Sequence, residues 1–309
     1  MMSLGRRLPD WRVALVSGVF AISPAALAAK SFYVPGAGGV PLAVTEVGPK
    51  GAPEILFLHG LGQGRESFRP QLDSALASKY HMVAFDLRGH GMSGKPWDEA
   101  AYAETATWAE DVGRVMAATG MKRPVVVAWS YGTLVAADFI RANGAAGLSG
   151  LMLVSSVGGL VKAPPPTGPV PPDLVKSRQL RASVDLADQQ EAQRLLAPYL
   201  TGGSIPPDWR AMAITQGTMV PPFVDAALRK HKGANADLVP ALNLPVLVVS
   251  GKLDAAIDAA TVNALVAQVP GARASRFDRA GHSPFAEDPA RFNAELAAFV
   301  DRVWHGAAK

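Results

Sequence analysis
Five short apolar runs do most to limit how this chain can fold: Glu54 to Leu58, His81 to Phe85, Val125 to Ala128, Leu151 to Val154 and Val246 to Val249. Unbroken β-branched runs bounded by Gly and Pro fit strands covered on both faces, the condition found in parallel sheets. Helical spacing lies between them. Phe68, Leu72 and Leu76 recur at i, i+4, i+8; Trp108, Val112, Val115 and Met116 keep the same period. Near the C-terminus Phe292, Leu296, Phe299, Val300 and Val303 share one face, behind Asp288 as a cap and Pro289 in the first turn. Residues 32–48 alternate and are richer in Gly, and read as an antiparallel edge hairpin. Strand–helix alternation of this kind predicts an α/β fold, a doubly wound, mostly parallel sheet flanked by helices.

Composition narrows the function. With 309 residues the chain suits one large domain or two small ones, and 49% hydrophobic against 18% charged residues argues for a packed core. Cys is absent, which excludes disulfides, thiolate metal sites and a Cys nucleophile. The net charge of +4 is spread thinly and lacks the basic block of a nucleic-acid binder.

The first residues have the three-part build of a secretory signal peptide. Arg6, Arg7 and Arg12 precede the apolar run Val13 to Ile22, followed by Pro24 and Ala26-Leu27-Ala28, an A-x-A cleavage signal. The apolar run is shorter than the roughly 20 residues a spanning helix needs, although retention as an anchor is the alternative. The expectation is that residues 1–28 are removed, that the mature chain begins at Ala29, and that the protein is exported to a periplasm or secreted. Removing 1–28, with three Arg and one Asp, lowers the charge from +4 to +2.

One stretch breaks the rhythm. Six prolines fall between Leu160 and Pro172, and helical patterns without a convincing strand continue to about Pro240. This reads as a stiff connector and a helical cap insertion, residues 160–240, over the carboxyl ends of the strands. The core is then 29–159 and 241–309. Trp209, Met212, Ile214, Met219, Val220 and Phe223 either line an apolar pocket or simply pack the inserted helices.

Three points carry chemistry. Ala128-Trp129-Ser130-Tyr131-Gly132 follows a strand and opens an apolar helix that ends near Gly144. A serine on so tight a turn projects out of the sheet and needs small residues two before and two after it; Ala128 stands where the G-x-S-x-G pattern has its first Gly. Alone, it reads equally well as a helix N-cap. His59-Gly60-Leu61-Gly62 also follows a strand, and such a loop can aim a backbone N–H at a developing oxyanion or be a simple turn. His59 itself reads as a loop-fixing group. Last, Asp254 and His282 each follow a late strand, giving the order Ser130, Asp254, His282. A Ser hydroxyl needs a base, and the base a third group to set its tautomer. Asp258 is the rival acid and reads as the cap of the next helix.

Taken together, His59-Gly60, the D-x-R-G-x-G-x-S turn at Asp86 to Ser93, the elbow at Ser130, Asp254 and Gly281-His282 resemble the α/β-hydrolase fold superfamily over residues 32–305. The resemblance implies a structural role for Asp86, Arg88 and His90, and oxyanion donors at the backbone N–H groups of Leu61 and Tyr131. It sets aside haloalkane dehalogenases and epoxide hydrolases, which carry Asp at the elbow. The reading is a serine hydrolase acting on a small-molecule carboxylic ester or lactone through an acyl-enzyme, with no cofactor, metal or nucleic-acid partner. A cofactor-free haloperoxidase or perhydrolase uses the same triad, and a non-catalytic ligand receptor is the alternative from another class.

Overall fold
The computed structural model describes residues 29–162, 169–203, 205–231 and 233–306. Residues 1–28, read above as a signal peptide, and part of the proline-rich connector, 163–168, lie outside them. Eight strands form one sheet: β1 (Lys30–Pro35), β2 (Pro41–Val47), β3 (Glu54–Leu58), β4 (His81–Phe85), β5 (Val125–Trp129), β6 (Gly150–Val154), β7 (Val246–Gly251) and β8 (Arg273–Phe277). Their order is β1-β2-β4-β3-β5-β6-β7-β8. β1 and β2 are the antiparallel edge hairpin, β2 also meets β4 antiparallel, and every pair from β4 to β8 is parallel.

The unbroken apolar runs are explained by two cores, one on each face. Leu56 and Leu58 of β3 and Val83 and Phe85 of β4 point into the first. Ile55, Phe57, Met82 and Ala84 point into the second, so alternate residues of one run feed opposite layers. Helices cover both. In chain order they are α1 (Arg69–Leu72), α2 (Ala100–Ala103), α3 (Thr105–Thr119), α4 (Gly132–Asn143), α5 (Pro172–Leu180), α6 (Leu186–Leu196), α7 (Pro207–Thr218), α8 (Pro222–Leu228), α9 (Ala259–Gln268), α10 (Pro284–Glu287) and α11 (Pro289–Gly306). α3 buries Trp108, Val112, Val115 and Met116 in the first core, and α11 buries Phe292, Leu296, Phe299, Val300 and Val303 in the second.

One helix expectation fails. Phe68, Leu72 and Leu76 all reach the second core, but from three separate turns: 3-10 helix over 65–68, α1, and 3-10 helix over 75–78. Pro70 opens α1, and Ser74 stops it by turning its side chain onto the Leu76 N–H at 3.2 Å. Local side-chain bonding outcompetes the helix while the apolar spacing is still satisfied.

α5 to α8 lie between β6 and β7, and the described residues of 160–240 contain no strand. α7, α8 and the residues just before each of them share the cores of the sheet. Val220, Val224, Ala227 and Leu228 belong to the first core; Ile205, Trp209 and Ala213 belong to the second. Trp209 and Val220, offered above as pocket-lining or packing residues, are both packed into these cores, and Trp209 also lines a pocket with Pro206 and Met212. No helix among the described residues is long and apolar enough to cross a membrane.

Candidate active site
Ser130 follows β5 directly and has φ +53°, a left-handed backbone rare for a residue with a side chain. The bend is held by its N–H, which donates to Val154 O at 2.9 Å, and by the Thr133 N–H, which donates to Ser130 O at 3.0 Å. Gly132 is required there, because a Cβ would stand 2.3 Å from Leu58 O. Ala128, where the pattern has its first Gly, is a fully buried member of β5 and the first core.

β3, β7 and β8 bring the other groups to the same end of the sheet. Asp254, just beyond β7, has a buried carboxylate. Its Oδ2 and Oδ1 lie 2.9 and 3.1 Å from His282 Nδ1, and His282 Nε2 lies 2.9 Å from Ser130 Oγ. A carboxylate only accepts, so Nδ1 carries the proton and Nε2 is free to accept from the serine hydroxyl. Asp254 also accepts the Ala256 N–H at 2.8 Å through Oδ1. Asp258 is elsewhere engaged: its side chain accepts the Thr261 N–H at 2.7 Å and caps α9, and those bonds hold its carboxyl below the usual range.

The loop after β3 lies against the serine, since a Cβ on Gly60 would stand 3.2 Å from Ser130 Cβ. Among the described residues, the N–H groups of Leu61 and Tyr131 have no protein partner. Both begin turns beside Ser130, and the second sits at the N-terminal end of α4, where a helix favours negative charge. His59 fixes this loop. Its Nδ1–H donates to Gly60 O at 2.8 Å while Nε2 accepts the Leu87 N–H at 2.9 Å.

Burial holds His59 down at about 4, and it holds the neighbouring His90 at about 3. Between pH 6.5 and about 4 the unfolded chain therefore binds a proton that the native His59 refuses, so stability falls as pH drops. For His59 alone the loss is about 3 kcal/mol by pH 4. Urea unfolding at about pH 7 and about pH 4.5 reads it; equal stabilities would mean a charged ring in the native loop.

The turn at 86–93 is a brace. Asp86 accepts the N–H of Arg65 at 2.7 Å and of Met92 at 2.8 Å, and pairs with the Arg65 guanidinium. Arg88 is buried against Asp111 at 2.6 and 2.7 Å, and Ser93 Oγ receives the Ala43 N–H at 2.9 Å.

Two contacts to the His282 loop have no sequence signal. Trp129 Nε1, one residue before the serine, donates to His282 O at 2.7 Å. Glu287 accepts N–H groups from Gly281 and Ser283. Their partners are backbone atoms, which residue types do not encode. A cavity of about 490 Å³ is lined in part by Ser156, Val157, Val161 and Ile257, and by Ala256, whose N–H bonds Asp254. Thr133 of α4 is bonded to its Ser156 at 2.9 Å.

The alpha/beta hydrolase family matches the chain over residues 55–295, and the chain belongs to that family. A protein assigned as an aryl esterase from Burkholderia cenocepacia is 26% identical with a TM-score of 0.79, covering 89% of this chain and 100% of that one. The esterase RhEst1 from Rhodococcus sp. ECU1013 is 28% identical with a TM-score of 0.76, covering 88% and 99%. An uncharacterised protein of Mycobacterium tuberculosis is 27% identical over 268 residues, 81% of this chain and 75% of its own length.

Proposed function
We propose that the protein is a serine hydrolase that cleaves a small-molecule carboxylic ester or lactone. The observation that carries this reading is the strained Ser130 within 2.9 Å of a histidine whose other nitrogen meets a buried carboxylate. The resemblance to two proteins described as esterases supports the ester preference. In the proposed reaction His282 Nε2 takes the Ser130 proton as Oγ attacks the substrate carbonyl. The Leu61 and Tyr131 N–H groups receive the oxyanion, and Asp254 stabilises the imidazolium. His282 then gives its proton to the leaving oxygen. Water, activated by the same ring, releases the acid from the acyl-enzyme. The make-up of residues 1–28 supports export of the protein, and with it a reaction carried out beyond the cytoplasm.

The test is a fluorophosphonate label mapped by peptide mass, beside nitrophenyl esters of graded chain length, lactones, amides and peroxide-dependent halogenation. The expected result is label on Ser130 and turnover of esters or lactones. Label elsewhere, or no label with full ester turnover, rejects the mechanism. Halogenation exceeding hydrolysis makes peroxide, not water, the acceptor.

A further inference from the structure
His282 must meet two partners at once, yet it sits on the short connection between β8 and α10. Ring contacts to Ser130 and Asp254 do not fix that backbone; other groups do. Ser283 Oγ donates to Leu200 O at 2.6 Å, tying the connection to the inserted segment. Trp129 Nε1 holds His282 O at 2.7 Å, and the N–H groups on either side of His282 converge on one carboxylate at the end of α10. Glu287 Oε1 accepts the Gly281 N–H at 2.9 Å and the Ser283 N–H at 3.3 Å, the residues on either side of His282. Its Oε2 accepts the Gly202 N–H of the inserted segment at 2.8 Å. The two backbones touch, since a Cβ on Gly281 would stand 2.2 Å from Gly202 N. Backbone N–H groups, not a cation, meet the carboxylate's charge, and burial pushes its pKa up.

We propose that Glu287 is a positioning residue: its carboxylate locks the His282 connection to the Gly202 turn, so His282 stays aligned with Ser130 only while that turn is seated. The proposal rests on the serine-hydrolase reading above. The role needs two accepting oxygens on opposite sides. Gln has the same shape but one accepting oxygen and one NH₂, so one side must face N–H against N–H. A buried donor left without an acceptor drives that side apart. A side chain needed only for packing, by contrast, is replaced by Gln without consequence.

The experiment compares wild type, Glu287→Gln and Glu287→Ala on nitrophenyl acetate. Competent sites are counted by exhaustive phosphonylation, so unfolded chains drop out of the rate. Glu287→Gln should lower kcat per competent site by about 10- to 100-fold, the scale of a small misplacement of a reacting group, with KM for this short ester unchanged. Glu287→Ala should lose at least as much. Wild-type kcat in Glu287→Gln overturns the proposal, and so does a raised KM with unchanged kcat. A wild type that takes no phosphonate at Ser130 brings down the serine reading and this proposal with it, a result distinct from a labelled wild type indifferent to Glu287→Gln.

Discussion

Ser130→Ala should lower ester turnover by on the order of 10⁶-fold, because the three side chains act as a unit and removing the nucleophile removes the pathway. The fold should survive. The hydroxyl's bond is to His282 Nε2, while the elbow is held by backbone bonds to Val154 and from Thr133 that alanine keeps. Alanine also keeps the Cβ, and with it the strain of φ +53°. Ser130→Gly removes the Cβ, so it should be as inactive but more stable than Ser130→Ala, since a left-handed residue with a side chain is strained by about 1–3 kcal/mol. Turnover and melting temperature of the two variants, purified free of wild type, decide this. An active Ser130→Ala moves the nucleophile elsewhere, and a Ser130→Gly less stable than the alanine variant denies the strain.

Asp254→Asn should lose near ~10⁴-fold in turnover, by analogy with the same change in serine proteases. The surroundings supply a reason. Oδ1 of Asp254 accepts the Ala256 N–H at 2.8 Å, so an Asn keeps its carbonyl oxygen there. Its NH₂ then takes the Oδ2 position, 2.9 Å from His282 Nδ1. Facing a donor, Nδ1 becomes the acceptor, the ring proton moves to Nε2, and Nε2 loses the lone pair that takes the serine proton. Asp258→Asn should leave turnover near wild type, because Asn also caps helices and the side chain bonds Thr261. Both variants measured on one ester near neutral pH decide the assignment. An inactive Asp258→Asn beside an active Asp254→Asn reverses the acid.

How much was legible in the sequence follows from the kind of force at work. β3 to β7 were legible because burial on two faces leaves short, β-branched apolar runs bounded by Gly and Pro. α3 and α11 were legible because one buried face repeats with the helix. The 65–78 segment was not, because Pro70 and Ser74 break the backbone while Phe68, Leu72 and Leu76 keep the helical spacing. Ser130, Asp254 and His282 were found by their positions after strands, and the sheet brings them together. Trp129 and Glu287 were missed because their bonds run to backbone groups of residues distant in the chain or hidden in a turn. The inserted helices read as a cover; that they complete both cores depends on tertiary packing with no local pattern.

That shared packing bears on how such a chain can change its preferences over generations. Trp209 and Val220 cannot drift to suit a new substrate without opening a core, because each is buried among side chains of the sheet and its helices. Ile214 and Met219 are half-buried and belong to neither core. Innovation in the inserted segment is thereby channelled to the few positions where a replacement leaves the scaffold's stability margin intact.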